Sequence, residues 1–255
     1  MVGKNPWKQA LKKGKPSFNL YTGALWNTGL HGMFLSAALL VFAWGCAKAP
    51  ASYPMPLTVD PSTRFLFYLH GAIVEEKGAH ATHPVYGTYD YHGIIKAFAD
   101  RGFRVISEIR PVRTDIRDYA EKTAGQIRTL LASGVPAENV IVAGFSKGGA
   151  ITLYVSSLLG EPQVKFVVMA GCGRKGSFRR AYEKFLREAA PSMRGRVLSL
   201  YDESDEIGGT CMRAFEAASS HVIAEEILLH AGKGHGTFYR PRKEWIDPAV
   251  QWILR

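Results

Sequence analysis

From residue 64 onward, short apolar runs alternate six times with segments of helical periodicity. The runs, at 65–69, 103–108, 140–143, 164–170, 196–201 and 224–230, are rich in β-branched and aromatic residues. The helical patterns fall at 89–100, 115–133, 150–155, 178–190, 211–220 and 244–254. In 115–133, for example, Ala120, Ala124, Ile127, Leu130 and Leu131 recur at helical spacing. Parallel strands need long crossovers, and a helix between successive strands supplies one. The pattern therefore predicts an α/β fold: a small, mostly parallel sheet of about six strands with helices on both faces. Right-handed crossovers bring every strand's carboxyl end to one rim, where open α/β sheets place their chemistry. At 255 residues and 47% hydrophobic, the chain can bury a full core.

Residues at that rim stand out. The run 140–143 leads into Gly144-Phe145-Ser146-Lys147-Gly148-Gly149 and then into a helical segment. Strand, Gly-x-Ser-x-Gly, helix is the context of a nucleophile elbow, in which Gly144 and Gly148 let strand and helix backbones approach closely. The helix N-terminus behind Ser146 favours a developing oxyanion. Serine is a weak nucleophile and needs a positioned base. The run 196–201 leads into Asp202-Glu203-Ser204-Asp205, and 224–230 into Ala231-Gly232-Lys233-Gly234-His235-Gly236. Serine, acid and histidine thus follow in that order, each just past a strand. His235 would take the serine proton and the acid would fix its tautomer. His230 is a rival base, but glycines on both sides of His235 suit a catalytic loop better. Two oxyanion donors are expected: the backbone N–H of Lys147, and that of Ala72 behind His70-Gly71.

These features resemble the α/β-hydrolase superfamily, in a serine esterase or lipase-like member. The resemblance rests on His70-Gly71, the 144–149 elbow, the acid near Asp205 and Gly234-His235-Gly236, and covers about residues 64–255. It implies a serine hydrolase that cleaves carboxylic esters or thioesters through an acyl-serine, without a cofactor or metal. The resemblance also favours Asp205 over Asp202, since the family's acid stands a few residues past its strand. Two departures are visible. Only the short linker precedes residue 64 in the hydrolase domain, so the family's first two strands are expected to be missing. No long insert follows 164–170, so a large cap domain is not expected. A serine at position 146 disfavours the branches with a cysteine or aspartate nucleophile. A peptidase or acyltransferase on the same fold, or a non-catalytic binding protein, are the alternatives.

The amino-terminal part reads differently. Residues 1–51 carry six lysines, no arginine and no acid, which leaves 26 basic against 22 acidic side chains in the remainder. That modest excess gives no support for nucleic-acid binding. The apolar run 33–46 is short for a membrane span and suits the core of a signal peptide, with Ala49-Pro50-Ala51 as a cleavage site. Acylation of Cys46, or retention as a membrane anchor, are the other readings. All three predict export to a periplasmic or extracellular space, since the lysines lie mostly before the apolar run. The domain plan is a signal or anchor at 1–51, a proline-containing linker at 52–63 and a hydrolase domain at 64–255.

Weaker signals complete the reading. His80, His83, His92, Glu75 and Glu76 match no helical metal-ligand spacing and read as a loop. Tyr86, Tyr89 and Tyr91 would either line a substrate pocket or pack that loop. Arg174, Lys175, Arg179 and Arg180 would hold an anionic group or form a solvated face. Cys172 and Cys211 fall past sequential strands near one rim, where they would bridge or remain two buried thiols.

Overall fold

The computed structural model describes residues 52–255, so the apolar run 33–46, the candidate cleavage site and Cys46 lie outside the described residues. The chain runs through β1 (Ser52–Tyr53), β2 (Arg64–Leu69), α1 (Ala72–Lys77), β3 (Thr82–His83), β4 (Gly87–Thr88) and α2 (Tyr91–Ala99). Then come β5 (Phe103–Glu108), α3 (Ile116–Ala132), β6 (Val140–Phe145), α4 (Lys147–Leu159), β7 (Lys165–Met169), β8 (Cys172–Gly173) and α5 (Gly176–Glu188). The last elements are β9 (Gly195–Asp202), β10 (Gly208–Gly209), α6 (Met212–Ala218), β11 (Val222–Leu229) and α7 (Lys243–Ile253).

The six apolar runs are the six parallel strands of a seven-stranded sheet ordered β1-β5-β2-β6-β7-β9-β11. Side chains alternate across each strand, so every strand feeds two cores. Phe65, Phe67 and Leu69 of β2 join α3, α4, α5 and α6 on one face, where Ile127, Ile151, Phe185 and Phe215 pack. Leu66 and Tyr68 turn to the other face, against Ile94 and Phe98 of α2 and Trp245 and Trp252 of α7. Both faces are therefore covered by helices, as the continuous hydrophobic runs require. Helix starts are fixed locally: Asp115 accepts from the N–H groups of Arg117 and Asp118, and Asp90 from that of Gly93.

Two segments differ from the sequence expectation. Part of the expected linker at 52–63 is an edge strand: Ser52 and Tyr53 pair antiparallel with Glu108 and Ser107 of β5. It covers the outer edge of β5, and Pro54 ends it because proline cannot continue a ladder. The loop expected at 72–88 holds α1 and the small β3–β4 ladder. A six-residue helix is too short to show periodicity; α1 exists because Val74 and Glu75 are buried.

Topology fixes where a site can form. The chain leaves β2 toward β5 on one side and later enters β6 on the other, so the strand order reverses at the β2–β6 pair. The carboxyl ends of β2 and β6 flank the crevice that such a reversal opens. Further along the rim, Gly173 and Cys172 of β8 pair with Gly208 and Gly209 of β10. A disulfide joins Cys172 to Cys211, with Cα atoms 5.4 Å apart. Together they tie the segment after β9 to the segment after β7. The bridge closes a loop of 39 residues, for which chain entropy gives ~4 kcal/mol of stabilisation. The Cys172→Ser/Cys211→Ser variant should therefore unfold at a clearly lower urea midpoint than the oxidised parent; coincident urea curves would refute the contribution.

Candidate active site

The turn from β6 into α4 carries glycine at 144 and 148 because nothing larger fits at those positions. A Cβ at Gly148 would collide with the carbonyl oxygen of Leu69, and one at Gly144 with the carbonyl oxygen of Gly148. Ser146 stands between them at φ 55°, ψ −118°, in the positive-φ region that non-glycine residues avoid. Its N–H donates to the carbonyl of Met169 at 2.8 Å, and its own carbonyl accepts from Ala150 at 3.0 Å. These bonds hold the residue in its strained conformation, which lifts the hydroxyl off the rim.

Three residues from three strand ends meet there. Ser146 Oγ lies 2.8 Å from His235 Nε2, and His235 Nδ1 lies 2.8 Å from Asp205 Oδ2. A carboxylate can only accept, so Nδ1 carries the proton and Nε2 is left to accept from the serine hydroxyl. Asp205 is fully buried, and its Oδ1 accepts from the N–H groups of Ile207 at 2.8 Å and Gly208 at 3.0 Å. Its carbonyl oxygen accepts from Arg174 Nη1 at 2.8 Å. The imidazole is buried between aromatic rings: the Phe145 centroid is 4.7 Å from that of His235, and the Tyr86 centroid 6.3 Å.

Asp202 has a different place. It accepts from Ser204 N–H, Ala231 N–H, Gly234 N–H and Thr237 Oγ1, and so ties the end of β9 to the loop that carries His235. Burial pushes its carboxyl up, but the hydrogen bonds from Ser204, Thr237 and Gly234 outweigh burial and hold it below the usual carboxylate range. His230 points elsewhere, paired with Glu203 at an exposed position.

The expected oxyanion donors are the first residues of two helices. Lys147 begins α4 and Ala72 begins α1, so neither N–H has an intrahelical acceptor. The preceding Gly71 is close: a Cβ built there would lie 3.6 Å from Ser146 Cβ. His70 fixes this loop. Its Nδ1–H donates to the carbonyl of Gly71 at 2.8 Å, and its Nε2 accepts from Arg110 N–H at 3.0 Å. Burial, reinforced by the Arg110 guanidinium, holds its pKa well below the ordinary histidine value, so the ring is neutral.

Of the weaker signals, Tyr89 and Tyr91 are buried, with hydroxyls on Tyr68 and Ser107, while Tyr86 alone of the three faces His235. His83 stacks on Tyr86, and His92 Nδ1 is paired with the Tyr53 hydroxyl. Among the described residues, no group of three or more His, Cys, Asp or Glu side chains is arranged to hold a metal ion.

A family model described as phospholipase/carboxylesterase matches residues 104–175, which span β5 to the elbow and beyond. No curated protein matches the chain in sequence. Solved structures do. A Klebsiella pneumoniae protein provisionally described as a dienelactone hydrolase aligns with a TM-score of 0.54 at 14% identity, over 78% of this chain and 90% of its own. An acetyl xylan esterase from Paenibacillus aligns at 0.51 and 15% identity, over 76% and 74%. A bifunctional GH43-CE protein of Bacteroides eggerthii aligns at 0.51 and 16% identity over 77% of this chain, which spans only 34% of that protein. With the seven-stranded sheet, these likenesses show that the chain has the fold of the α/β-hydrolases.

One part of the site was not legible in the sequence. Glu75 of α1 is buried and bridges two cations: Arg110 Nε at 2.7 Å and Lys147 Nζ at 2.7 Å. Arg110 also donates to the carbonyl of His70. The carboxylate thereby links the helix that begins with Ala72 to the helix that begins with Lys147. The only sequence signal was an acid in a segment read as a loop, and its partners lie 35 and 72 residues away. The Arg110–Glu75 pair matters more than Lys147–Glu75, because both of its side chains are under 3% exposed whereas Lys147 is 19% exposed. Glu75→Gln strands a buried guanidinium and should destabilise the protein by about 3–5 kcal/mol in urea titration. A loss below ~1 kcal/mol, the size of a surface pair, would contradict that role for the carboxylate.

Proposed function

We propose that the protein is an exported serine hydrolase that cleaves carboxylic esters or thioesters. The observation that carries the reading is the continuous hydrogen-bond chain from Ser146 Oγ through His235 to Asp205, with 2.8 Å at each link. In the reaction, Ser146 attacks the ester carbonyl while His235 Nε2 takes the hydroxyl proton. The imidazolium that forms is stabilised by Asp205, whose charge is held by the N–H groups of Ile207 and Gly208. The tetrahedral oxyanion is received by the N–H groups of Lys147 and Ala72, two helix starts that carry partial positive charge. His235 returns the proton to the leaving alcohol or thiol, and water then releases the acyl group by the same steps in reverse. The substrate is a small-molecule ester, and the residues above complete the cycle without a cofactor. The phospholipase/carboxylesterase match over 104–175 supports esters ahead of peptides or acyl transfer.

Export is supported by the charge arrangement of residues 1–51 and by the Cys172–Cys211 disulfide, since such bonds persist in oxidising compartments. Membrane association would run through the first 51 residues; among the described residues no helix is long and apolar enough to cross a membrane.

Two experiments test this reading. Ser146→Ala and His235→Ala should each lower ester hydrolysis by about 10⁴-fold or more, and the double variant hardly further, because the residues act as one unit. Asp205→Asn should be severe, while Asp202→Asn should act on stability more than on turnover. A fluorophosphonate probe should label Ser146 and fail on Ser146→Ala; unchanged turnover in Ser146→Ala would remove the mechanism. For location, a reporter enzyme active only outside the cytoplasm, fused after residue 60, should be active. A silent fusion would reject export, and mass spectrometry of the mature N-terminus decides between cleavage near Ala51, acylation at Cys46 and a retained anchor.

A further inference from the structure

We propose that the ester substrate carries an anionic group (a carboxylate, sulfate or phosphate) seated in a basic cavity beside His235; this rests on the hydrolase reading above. The cavity is open and has a volume of about 870 Å³. Its wall includes Gly234 and Gly236, on either side of His235, and Ser204, next to Asp205. Tyr86 lies in the same wall, so the cavity begins one ring away from the imidazole.

Charge in this wall is one-sided. Lys175, Lys233, Arg240 and Arg242 line it against a single acid, Glu206. Glu206 pairs with Lys175 at 2.5 Å. Lys233, Arg240 and Arg242 have no acid within salt-bridge distance among the described residues. Residues 52–255 carry only four more basic than acidic side chains, so three unpaired cations on one cavity are not a consequence of a generally basic surface. A concave wall of one sign also focuses field and raises the local concentration of an oppositely charged substrate. The rings of Tyr86 and Tyr239, with centroids 5.5 Å apart, give the same cavity an apolar side for the carbon skeleton.

The anionic group could belong to the acyl or to the alcohol part, and two substrate pairs separate these sources. The first pair is the nitrophenyl hemiester of glutaric acid and its methyl-capped neutral counterpart. The second is para-acetoxybenzoate and its methyl ester. With rates corrected for uncatalysed hydrolysis, the anionic member of at least one pair should have a kcat/KM about tenfold higher, as three exposed ion pairs would give. That ratio should fall toward unity in Lys233→Gln/Arg240→Gln, with an unchanged circular dichroism spectrum, and also at about 1 M salt, where exposed charges are screened. Preference for the neutral member in both pairs, or a ratio that survives both the substitutions and salt, would overturn the proposal. Calorimetry on the Ser146→Ala variant keeps the two readings apart. Tighter binding of glutaric acid monoanilide than of its methyl ester supports the cavity even if no ester is turned over, an outcome that would sink the hydrolase reading alone. Equal binding of the two anilides counts against the cavity whatever the turnover.

Discussion

The close approach of α4 to the ends of β2 and β6 is the constraint on which the rim depends. At Gly148 the helix backbone reaches the carbonyl of Leu69, and at Gly149 a Cβ would lie 2.7 Å from the Cα of Gly171. Any side chain at these positions would push the helix off the sheet. Only with the helix seated this deeply does Ser146 reach φ 55° between two elements that cannot yield. Such a conformation costs of order 1–3 kcal/mol and persists where the surroundings over-determine it. Here they do, through the Met169 carbonyl on one side and the first turn of α4 on the other.

The charges are arranged in depth around that turn. Beneath it, Glu75 bridges Arg110 and Lys147, and the neutral His70 joins the same set through Arg110 N–H. On one flank, Asp205 is fully buried with four polar partners, two of them backbone amides. Buried charges are tolerated only when paired and hydrogen-bonded, and both carboxylates meet that condition. Outside, past Tyr86, four cations face one acid, Glu206, which pairs with Lys175. Each buried carboxylate is thus fully hydrogen-bonded, whereas Lys233, Arg240 and Arg242 at the cavity have no acid partner among the described residues.

Rigidity along the rim comes from several ties, one of them covalent. The Cys172–Cys211 bridge and the β8–β10 ladder hold the Asp205 segment, and Arg174 adds a bond to the Asp205 carbonyl. Asp202 then joins that segment to the loop carrying His235 through Ala231, Gly234 and Thr237. Asp205 and His235 are therefore held by one connected set of residues, and Asp202, which stands nearer to the strand, serves the loop.

Local pattern determined the architecture. Six apolar runs became six parallel strands, because period and burial of a strand are written in consecutive residues. The same locality placed Ser146, Asp205 and His235 past three strand ends, and the structure has them in one hydrogen-bond chain. Tertiary structure decided the rest. Ser52 and Tyr53 form a strand only because the edge of β5 needs covering, and α1 forms only where Val74 and Glu75 find a buried face. Tyr86 and Tyr89 look alike in the sequence, yet one faces the imidazole and the other is core. Glu75 meets Arg110 and Lys147 across 35 and 72 residues of chain. Strand and helix signals are carried by neighbours in sequence, whereas the partner of a buried charge is chosen by neighbours in space.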